Sequence, residues 1–339
     1  MSDSDAPKDS QSVKVVVLRQ LPQSVEQRMS QMFDVVLNRD DRPFSRQDIL
    51  AAMQDADVLV PTVTDKIDAE MIAQAGPGLK LIANFGNGVD NIDVDAAHER
   101  GVTVTNTPSV LTEDTADMVA ALLLALPRRM VEGDRVMRVP DSFSGWSPNW
   151  MLGRRLAGKT LGIVGMGRIG QAVARRAKVF GLKVVYHNRN RLHEDIEADL
   201  AASYCPKLDD LMAAADFLSL NCPHTEETTH LINAQSLQLM RRDSYLINTS
   251  RGKIVDENAL ADALSQGRLA GAALDVFERE PAVNPRLLEM ENVILLPHMS
   301  SATIEGRDGM GEKVLINIRT FADGHRPPDR VLPSHALHG

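Results

Sequence analysis

One glycine-rich turn near the middle of the chain constrains the fold more than any other feature of the sequence. It has the spacing G-x-G-x-x-G, with an apolar run over 159–164 before it and a stretch of helical periodicity over 171–180 after it. Between a strand and a helix, such glycines allow a tight turn, a close approach of the backbone to a pyrophosphate and close packing of helix on strand. We therefore predict a dinucleotide site here, rather than a chance glycine turn. The residues predicted to contact the cofactor are Gly165, Gly167, Arg168, Ile169 and Gly170.

Short apolar runs that are typical of strands alternate with helical stretches along the chain. The runs are 13–18, 58–60, 79–84, 102–105, 160–164, 183–186, 217–221, 244–248, 270–276 and 292–296. This alternation predicts an α/β fold with parallel sheets and right-handed crossovers. A helical segment over about 111–138, which Pro127 should kink or split, separates two halves. We expect one domain at 13–110 and 300–333, because the last helix returns to the first half, and a dinucleotide-binding domain at 111–299.

The composition argues against several classes of protein. Of the 339 residues 43% are hydrophobic, but no apolar run is long enough to cross a bilayer, and the net charge of −9 argues against a nucleic-acid surface. Residues 1–12 are polar and acidic, unlike a signal peptide, and we expect a disordered tail. Cys205 and Cys222 are too few for a disulfide framework, and neither they nor the histidines show metal-ligand spacing. We expect a cytoplasmic protein that uses no metal.

Three charged or titratable residues follow predicted strands of the second half. They are Arg251, Glu280 and His298, and strand ends of this kind face the ligand in doubly wound sheets. A guanidinium can hold a carboxylate and polarise a carbonyl, whereas a histidine can protonate an oxyanion as it forms. A carboxylate beside that histidine favours its charged form. Taken singly, each is more often a surface or capping residue; together they predict the reduction of a 2-oxo acid.

A second glycine-bearing turn, 84–91, follows the predicted strand 79–84. Glycines there expose consecutive backbone N–H groups, which suit an anion such as a substrate carboxylate. An ordinary strand-to-helix turn explains the same residues equally well.

The residues after the strand 182–186 bear on the choice of dinucleotide. Asn188 stands where NAD sites usually place a ribose-binding carboxylate, and Arg189 follows it. A carboxylate repels a 2′-phosphate and an arginine attracts it. We therefore predict that Asn188 and Arg189 contact the cofactor and that NADP(H) is preferred. NAD(H) stays open, since both side chains could simply be solvated.

With these residues in place, the chain closely resembles the D-isomer-specific 2-hydroxyacid dehydrogenases over nearly all of 13–333. The matching blocks are 86–90, 165–170, 248–252, 275–281 and 296–298. In this family the substrate domain is split between the two ends of the chain, which explains why the glycine turn comes so late. The resemblance implies two Rossmann-like domains: a flavodoxin-like substrate domain and an inserted, doubly wound NAD(P)-binding sheet.

The resemblance also implies a role for each matching residue. The arginine, glutamate and histidine of the family fall on Arg251, Glu280 and His298, with His298 as the general acid and base. The amides that bind the substrate carboxylate fall on Gly88 and Val89. The positions that line the cofactor are Thr115, Cys222, Pro223, Thr228, Thr249 and Asp275.

Within the family, the chain looks most like the glyoxylate and hydroxypyruvate reductases. Residues 146–150 resemble the Trp-x-Pro-x-Trp segment of their dimerisation arm, which here spans about 128–158. The resemblance implies a homodimer in which Trp146 reaches the partner's active site and limits the pocket to short side chains, or else serves only as an interface aromatic. Val63 matches a loop that borders the substrate side chain.

The expected activity is the NAD(P)H-dependent reduction of glyoxylate or hydroxypyruvate to the D-2-hydroxy acid. Two alternatives stay open. One is a family member specific for longer side chains, and the other is a corepressor-like protein that binds a dinucleotide as a signal. Formate dehydrogenases fit less well, because they have glutamine where this chain has Glu280.

Overall fold

The computed structural model describes residues 13–333. The chain divides into two compact units, each with a parallel sheet of its own. Unit 1 takes in the described residues up to Leu111 and those from Thr303 onward, and unit 2 is Thr112–Ala302. The predicted disordered tail, 1–12, lies outside the described residues. No helix within 13–333 is long and apolar enough to span a membrane.

Unit 1 is built on a five-stranded sheet. Its strands are β1 (Lys14–Val17), β2 (Asp34–Val36), β3 (Val58–Val60), β4 (Leu81–Ala83) and β5 (Thr103–Thr105). Its helices are α1 (Gln23–Met32), α2 (Arg46–Asp55), α3 (Ala69–Gln74), α4 (Val94–Glu99) and α13 (Ile304–Ala322). The strand order β2-β1-β3-β4-β5 is that of flavodoxin-like folds.

The sheet of unit 1 is covered on both faces. Val15 and Val17 belong to one core cluster with residues of α1 and α13, while Val16 belongs to the opposite cluster with residues of α2 and α3. Successive side chains of a strand point to opposite faces, so a strand buried on both faces is apolar throughout. This burial explains why β1, β3 and β4 could be recognised as continuous apolar runs.

Unit 2 is built on a seven-stranded sheet. Its strands are β6 (Thr160–Val164), β7 (Lys183–His187), β8 (Ala202–Tyr204), β9 (Phe217–Leu220), β10 (Tyr245–Asn248), β11 (Gly271–Leu274) and β12 (Val293–Leu295). Its helices are α5 (Thr112–Ala125), α6 (Met130–Met137), α7 (Arg168–Val179), α8 (Glu194–Leu200), α9 (Leu208–Ala214), α10 (Ala234–Leu239), α11 (Glu257–Ser265) and α12 (Pro285–Leu288). The strand order is β8-β7-β6-β9-β10-β11-β12. It reverses direction between β6 and β9, and ligands of doubly wound sheets bind at such a switch point.

The predicted α/β class with parallel sheets is confirmed, and so is the interruption of the long helix, since α5 ends at Ala125 and α6 begins at Met130 on either side of Pro127. Two strands escaped prediction: β2 and β8. Each is a three-residue strand at the edge of its sheet. Both are only partly buried and neither is apolar throughout, since β2 begins with Asp34 and β8 has Ser203 at its centre.

Candidate active site

Three charged side chains follow three neighbouring strands of unit 2. Arg251 comes after β10, Glu280 after β11 and His298 after β12. Because these strands are adjacent and parallel, their carboxyl ends lie at one edge of the sheet, where ligands bind in this architecture. The structure thus places the three residues that the sequence singled out at a common edge.

Glu280 and His298 form a hydrogen-bonded pair. Glu280 Oε2 lies 2.8 Å from His298 Nδ1, and Glu280 Oε1 accepts the backbone N–H of Phe277 at 2.9 Å. Burial works to raise the pKa of Glu280, but hydrogen bonds from His298 and Phe277, together with the charges of His298 and Arg251, lower this pKa below its usual value. Glu280 is therefore a carboxylate at neutral pH. It orients the imidazole through Nδ1 and leaves Nε2 for a substrate.

The backbone that carries His298 is held by Asp275. His298 has a left-handed φ of 53°, which is uncommon outside glycine, and its N–H donates to the Asp275 carbonyl at 2.9 Å. The buried Asp275 carboxylate accepts the N–H groups of Met299 at 2.7 Å and Ser300 at 2.8 Å. Such conformations persist where the surroundings impose them, and they concentrate at functional sites. Asp275 thus fixes the direction of the His298 side chain.

Arg251 stands at the end of a turn that Asn248 closes. The buried Asn248 side chain donates to the Arg251 carbonyl at 2.9 Å and accepts the Ser250 N–H at 3.1 Å. The Arg251 guanidinium donates to the Ser250 carbonyl at 2.7 Å, and its charge helps to lower the pKa of Glu280. A guanidinium in this position can attract the carboxylate of a small acid and polarise its neighbouring carbonyl.

The glycine turn of unit 2 depends on glycine for steric reasons. Gly165 has φ +95°, and a Cβ there would lie 2.5 Å from the backbone nitrogen of Cys222. A Cβ on Gly170 would lie 2.3 Å from the Gly165 carbonyl oxygen. Any side chain at either position would therefore push the turn away from β9 or from α7. The turn lies beside β9, at the switch point of the sheet.

The surroundings of this turn fit a dinucleotide. Apart from the two chain neighbours of Gly167, no residue within 13–333 has an atom within 4 Å of where its Cβ would stand, and α7 begins there without a capping side chain from the described residues. The N-terminus of a helix with free N–H groups attracts phosphate. Nearby strand ends carry two buried polar atoms, Thr249 Oγ1 and Asn221 Oδ1, with no hydrogen-bond partner within 13–333. Buried polar atoms without a partner are rare, and a bound ligand would satisfy them.

The loop predicted to face the ribose is tied to the glycine turn. The Asn188 side-chain oxygen accepts the N–H of Met166 at 2.7 Å, so its amide nitrogen is the group that can face outward. Arg189 is exposed, whereas Arg191 is held by Glu197 through two contacts of 3.0 and 2.7 Å. The structure therefore leaves Arg189, and not Arg191, as the guanidinium available to a phosphate.

Two buried residues that sequence reasoning missed support this loop. The Tyr186 hydroxyl donates to Glu197 at 2.6 Å and accepts the Leu192 N–H at 2.9 Å. The bonds from Arg191 and Tyr186 lower the pKa of Glu197 to about 2, and burial and Glu197 raise the pKa of Tyr186 to about 12. Glu197 stays charged and Tyr186 stays neutral. A tyrosine within an apolar strand and a glutamate within an acidic helix carry no local signal of such a pair.

The other predicted cofactor residues lie in unit 2 as well. Thr115 is buried in the first turn of α5. Burial raises the pKa of the Cys222 thiol to about 11, which keeps it neutral and argues against a nucleophile. Thr228 Oγ1 donates to the Pro223 carbonyl at 2.9 Å and closes the loop that carries both. Arg168 is exposed at the start of α7, and Ile169 packs partly into the core.

The predicted anion-binding turn in unit 1 is held by side-chain amides. Asn84 Nδ2 donates to the Gly88 carbonyl at 2.8 Å, and Asn91 Nδ2 donates to the carbonyls of Thr62 at 2.9 Å and Asp65 at 3.1 Å. These bonds join the turn with Gly88 and Val89 to the loop with Val63. The structure thus fixes the backbone of the two segments that were assigned to the substrate.

The segment with both tryptophans has no helix or strand over 138–159. Trp150 stacks on Phe143 with ring centroids 5.4 Å apart, while Trp146 is 84% exposed. Several other large apolar side chains between 124 and 152 are also exposed. They are Leu124, Met130, Met137, Val139, Phe143 and Leu152. An exposed apolar area of this kind is typical of a surface that another protein covers.

Comparison with known proteins identifies related sequences and structures. Residues 120–300 match the family model described as D-isomer specific 2-hydroxyacid dehydrogenase, NAD binding domain. A glyoxylate reductase from Thermococcus litoralis is 47% identical over 321 residues, which cover 94% of this chain and 96% of that protein. A solved structure of a Thermus thermophilus protein shares 42% identity with a TM-score of 0.87, covering 94% of this chain and 100% of the other.

A second solved structure includes a bound dinucleotide. It is an NADPH-dependent glyoxylate/hydroxypyruvate reductase from Sinorhizobium meliloti, in complex with NADP and malonate. It has 35% identity to this chain and a TM-score of 0.82, and the match covers 96% of this chain and 98% of the other.

Proposed function

Because the chain belongs to the D-isomer specific 2-hydroxyacid dehydrogenases, we propose that it reduces a short 2-oxo acid, glyoxylate or hydroxypyruvate, to the D-2-hydroxy acid. The observation that carries this proposal is the Glu280–His298 pair at the same sheet edge as Arg251. The similar glyoxylate reductase and glyoxylate/hydroxypyruvate reductase support the choice of substrate class.

The roles of the residues follow from their chemistry. When bound, the dinucleotide supplies the hydride that a carbonyl carbon must receive. His298 Nε2 donates the proton that the carbonyl oxygen needs as negative charge develops on it, and Glu280 stabilises the imidazolium that must be present beforehand. Afterwards His298 regains its proton from solvent. Arg251 attracts the substrate carboxylate and polarises the carbonyl. The backbone N–H groups of Gly88 and Val89 bind only the carboxylate.

We assign the substrate role to unit 1 and the dinucleotide role to unit 2. In unit 2 the cofactor would be held by the turn 165–170, by the unpartnered Thr249 hydroxyl and by the lining residues Thr115, Cys222, Pro223, Thr228 and Asp275. In unit 1, Val63 would border the substrate side chain, on a loop that Asn91 holds beside the carboxylate-binding turn.

NADP(H) is the dinucleotide we propose as preferred. Asn188 carries no charge that would repel a 2′-phosphate, and Arg189 is exposed to attract it. The double variant Asn188→Asp with Arg189→Gln should lower the ratio of kcat/KM for NADPH to that for NADH by about tenfold to a hundredfold, as expected when one charge repels a phosphate and another no longer attracts it. The matched control is Arg242→Gln, an exposed arginine before the start of β10, at the edge of the sheet away from the glycine turn. An unchanged ratio in the double variant would contradict the assignment.

We also propose that the chain forms a homodimer through the exposed apolar side chains of 124–152, with Trp146 restricting the substrate side chain in the partner. Analytical ultracentrifugation tests the dimer. Comparing glyoxylate with a longer 2-oxo acid for Trp146→Ala tests the restriction, and unchanged discrimination would leave Trp146 as an interface residue. A cytoplasmic location stays a prediction, which the two free cysteines suit.

One spectrophotometric panel tests the proposed function. NADPH and NADH oxidation is followed with glyoxylate, hydroxypyruvate, pyruvate and a longer 2-oxo acid. We expect the highest kcat/KM with NADPH as the cofactor and either glyoxylate or hydroxypyruvate as the substrate. Tight dinucleotide binding without turnover on any acid would support a corepressor-like binding protein instead. A maximum with the longer acid would support a different dehydrogenase of the family.

A further inference from the structure

Two glutamates join the loop that carries Arg251 to the segment that carries Glu280. Glu257 is the first residue of α11, and Glu278 lies shortly after β11. The backbone N–H of Glu278 donates to the Glu257 carboxylate at 2.7 Å, and the backbone N–H of Glu257 donates to the Glu278 carboxylate at 3.2 Å. Each side chain therefore binds the main chain of the other, which makes a reciprocal clip between two connections of the sheet.

The same two connections touch directly through their backbones. A Cβ on Gly252, next to Arg251, would lie 1.9 Å from the carbonyl carbon of Phe277 and 2.4 Å from the nitrogen of Glu278. The N–H of Phe277 in turn donates to Glu280 Oε1 at 2.9 Å. A movement of 277–278 would thus be transmitted on one side to the Arg251 loop and on the other to the carboxylate that orients His298.

The clip places two carboxylates close together at an unfavourable site. Glu257 is 6% exposed, and its burial raises its pKa; the hydrogen bond from Glu278 N–H opposes this rise, and the charge of Glu278 adds to it. His230 Nε2 lies 2.6 Å from Glu278 Oε1, and a protonated His230 ring would offset part of the negative charge of the two carboxylates. His230 lies in a third connection of the sheet, and its N–H donates to the Lys253 carbonyl at 2.8 Å. Apolar side chains could fill the same space without the free-energy cost of burying charge. The presence of two glutamates therefore indicates that the backbone positions they fix are needed.

We propose that Glu257 and Glu278 are positioning residues that hold Arg251 and Glu280 in the register required for proton transfer. They act through the main chain of 277–278 and contact neither substrate nor cofactor. This inference rests on the proposed reduction of a 2-oxo acid. Small errors in the position of catalytic groups are costly, since a shift of about 1 Å can lower a rate about a hundredfold.

The test compares Glu257→Ala with Glu257→Gln in the full chain. The alanine loses the acceptor for Glu278 N–H, whereas the glutamine keeps a carbonyl oxygen there and removes the repulsion. We expect Glu257→Ala to lower kcat with glyoxylate about tenfold to a hundredfold. We also expect the acidic limb of its pH profile to move to higher pH, because Glu280 loses a well-placed hydrogen bond from Phe277 N–H, which lowers its pKa. Glu257→Gln should retain most of the activity and the position of the limb.

Two controls separate positioning from general weakening. Asp262→Ala removes an exposed carboxylate from the same helix, where it pairs with Arg286, and should leave kcat and the pH limb unchanged. Dinucleotide affinity, measured by fluorescence titration, should be the same in all variants. If Glu257→Ala does not yield folded protein, Glu278→Ala removes the other half of the clip at a partly exposed side chain.

The outcomes are distinguishable from failure of the proposed function. If the wild type does not reduce glyoxylate or hydroxypyruvate, the function is wrong. If the wild type is active and the alanine variants have a lower melting temperature while kcat and the acidic limb of the pH profile stay unchanged, the clip only stabilises the fold and the inference is overturned.

Discussion

Two strand-to-helix turns of this molecule carry glycines, and they are held by different means. In unit 2, Gly165 and Gly170 are required because main-chain atoms lie where a Cβ would stand. In unit 1, the turn 84–91 is held by the side-chain amides of Asn84 and Asn91, and a Cβ on Gly86 would clash only with side chains, 2.7 Å from Val63 and 2.9 Å from Asn84. The first turn is determined by close main-chain contacts, the second by a hydrogen-bond network that spans two loops.

The two units also differ in the kind of group that they bring to the proposed reaction. We assign to unit 2 the charged side chains after β10, β11 and β12, and to unit 1 the neutral backbone N–H groups of Gly88 and Val89. If this division is correct, changes in unit 2 should alter kcat or dinucleotide affinity. Changes in the turn of unit 1 should alter only the KM for the 2-oxo acid.

The largest effect should come from His298→Ala. Removal of the general acid should lower kcat for glyoxylate reduction about a thousandfold, within the usual range for general acid catalysis. Dinucleotide affinity, measured by fluorescence titration, should stay within about twofold because the imidazole is not assigned to the cofactor. Full turnover in the variant would remove the mechanism, and with it the assignment of the chemistry to unit 2.

The next effect should come from Gly167→Ala. Apart from its two chain neighbours, a Cβ at this position meets no atom within 4 Å among residues 13–333, so the melting temperature should not change. The methyl group would, however, stand where the backbone must approach the pyrophosphate, and dinucleotide affinity should fall about tenfold to a hundredfold, or about 1.4 to 2.7 kcal/mol. Gly165→Ala is the contrasting variant, because its clash with Cys222 should lower the melting temperature as well. Unchanged affinity in Gly167→Ala would place the phosphates elsewhere.

A smaller effect, confined to binding of the 2-oxo acid, should follow from Asn84→Ala in unit 1. Loss of the bond to the Gly88 carbonyl should loosen the turn and raise the KM for glyoxylate about five- to tenfold, the equivalent of about 1 to 1.4 kcal/mol. Steady-state kinetics should show an unchanged kcat and an unchanged KM for NADPH. Gly78→Ala is a matched control in the same unit, since its Cβ would make only ordinary contacts at 3.6 Å. A fall in kcat for Asn84→Ala would break the proposed division of roles.

This contrast also explains how much could be predicted from the sequence. The central strands and the turn 165–170 were predictable, because burial on both faces and backbone sterics each leave a local pattern. The hydrogen bond from Met166 to Asn188 and the clip between Glu257 and Glu278 join residues 22 and 21 positions apart in sequence, and the pair of Arg191 with Glu197 joins residues 6 positions apart. Each partner is an ordinary polar residue in its own segment, so no local pattern marks it. The same reason left the turn 84–91 ambiguous, since Asn91 acts on a loop that lies almost thirty residues earlier.

The smallest effect should be a shift in pH dependence, and it tests whether unit 2 acts through charge. Hydrogen bonds from His298 and Phe277 lower the pKa of Glu280 against the effect of its burial, so Glu280 stays ionised well below neutral pH. Ionised Glu280 is the form that accepts the bond from His298 Nδ1, so kcat/KM for reduction should fall only when the pH drops through the lowered pKa of Glu280. In Glu280→Gln this acidic limb should disappear, because the glutamine takes up no proton there. An acidic limb that stays in place would mean that the charge of Glu280 is not required, and unit 2 would then resemble unit 1 in acting through geometry alone.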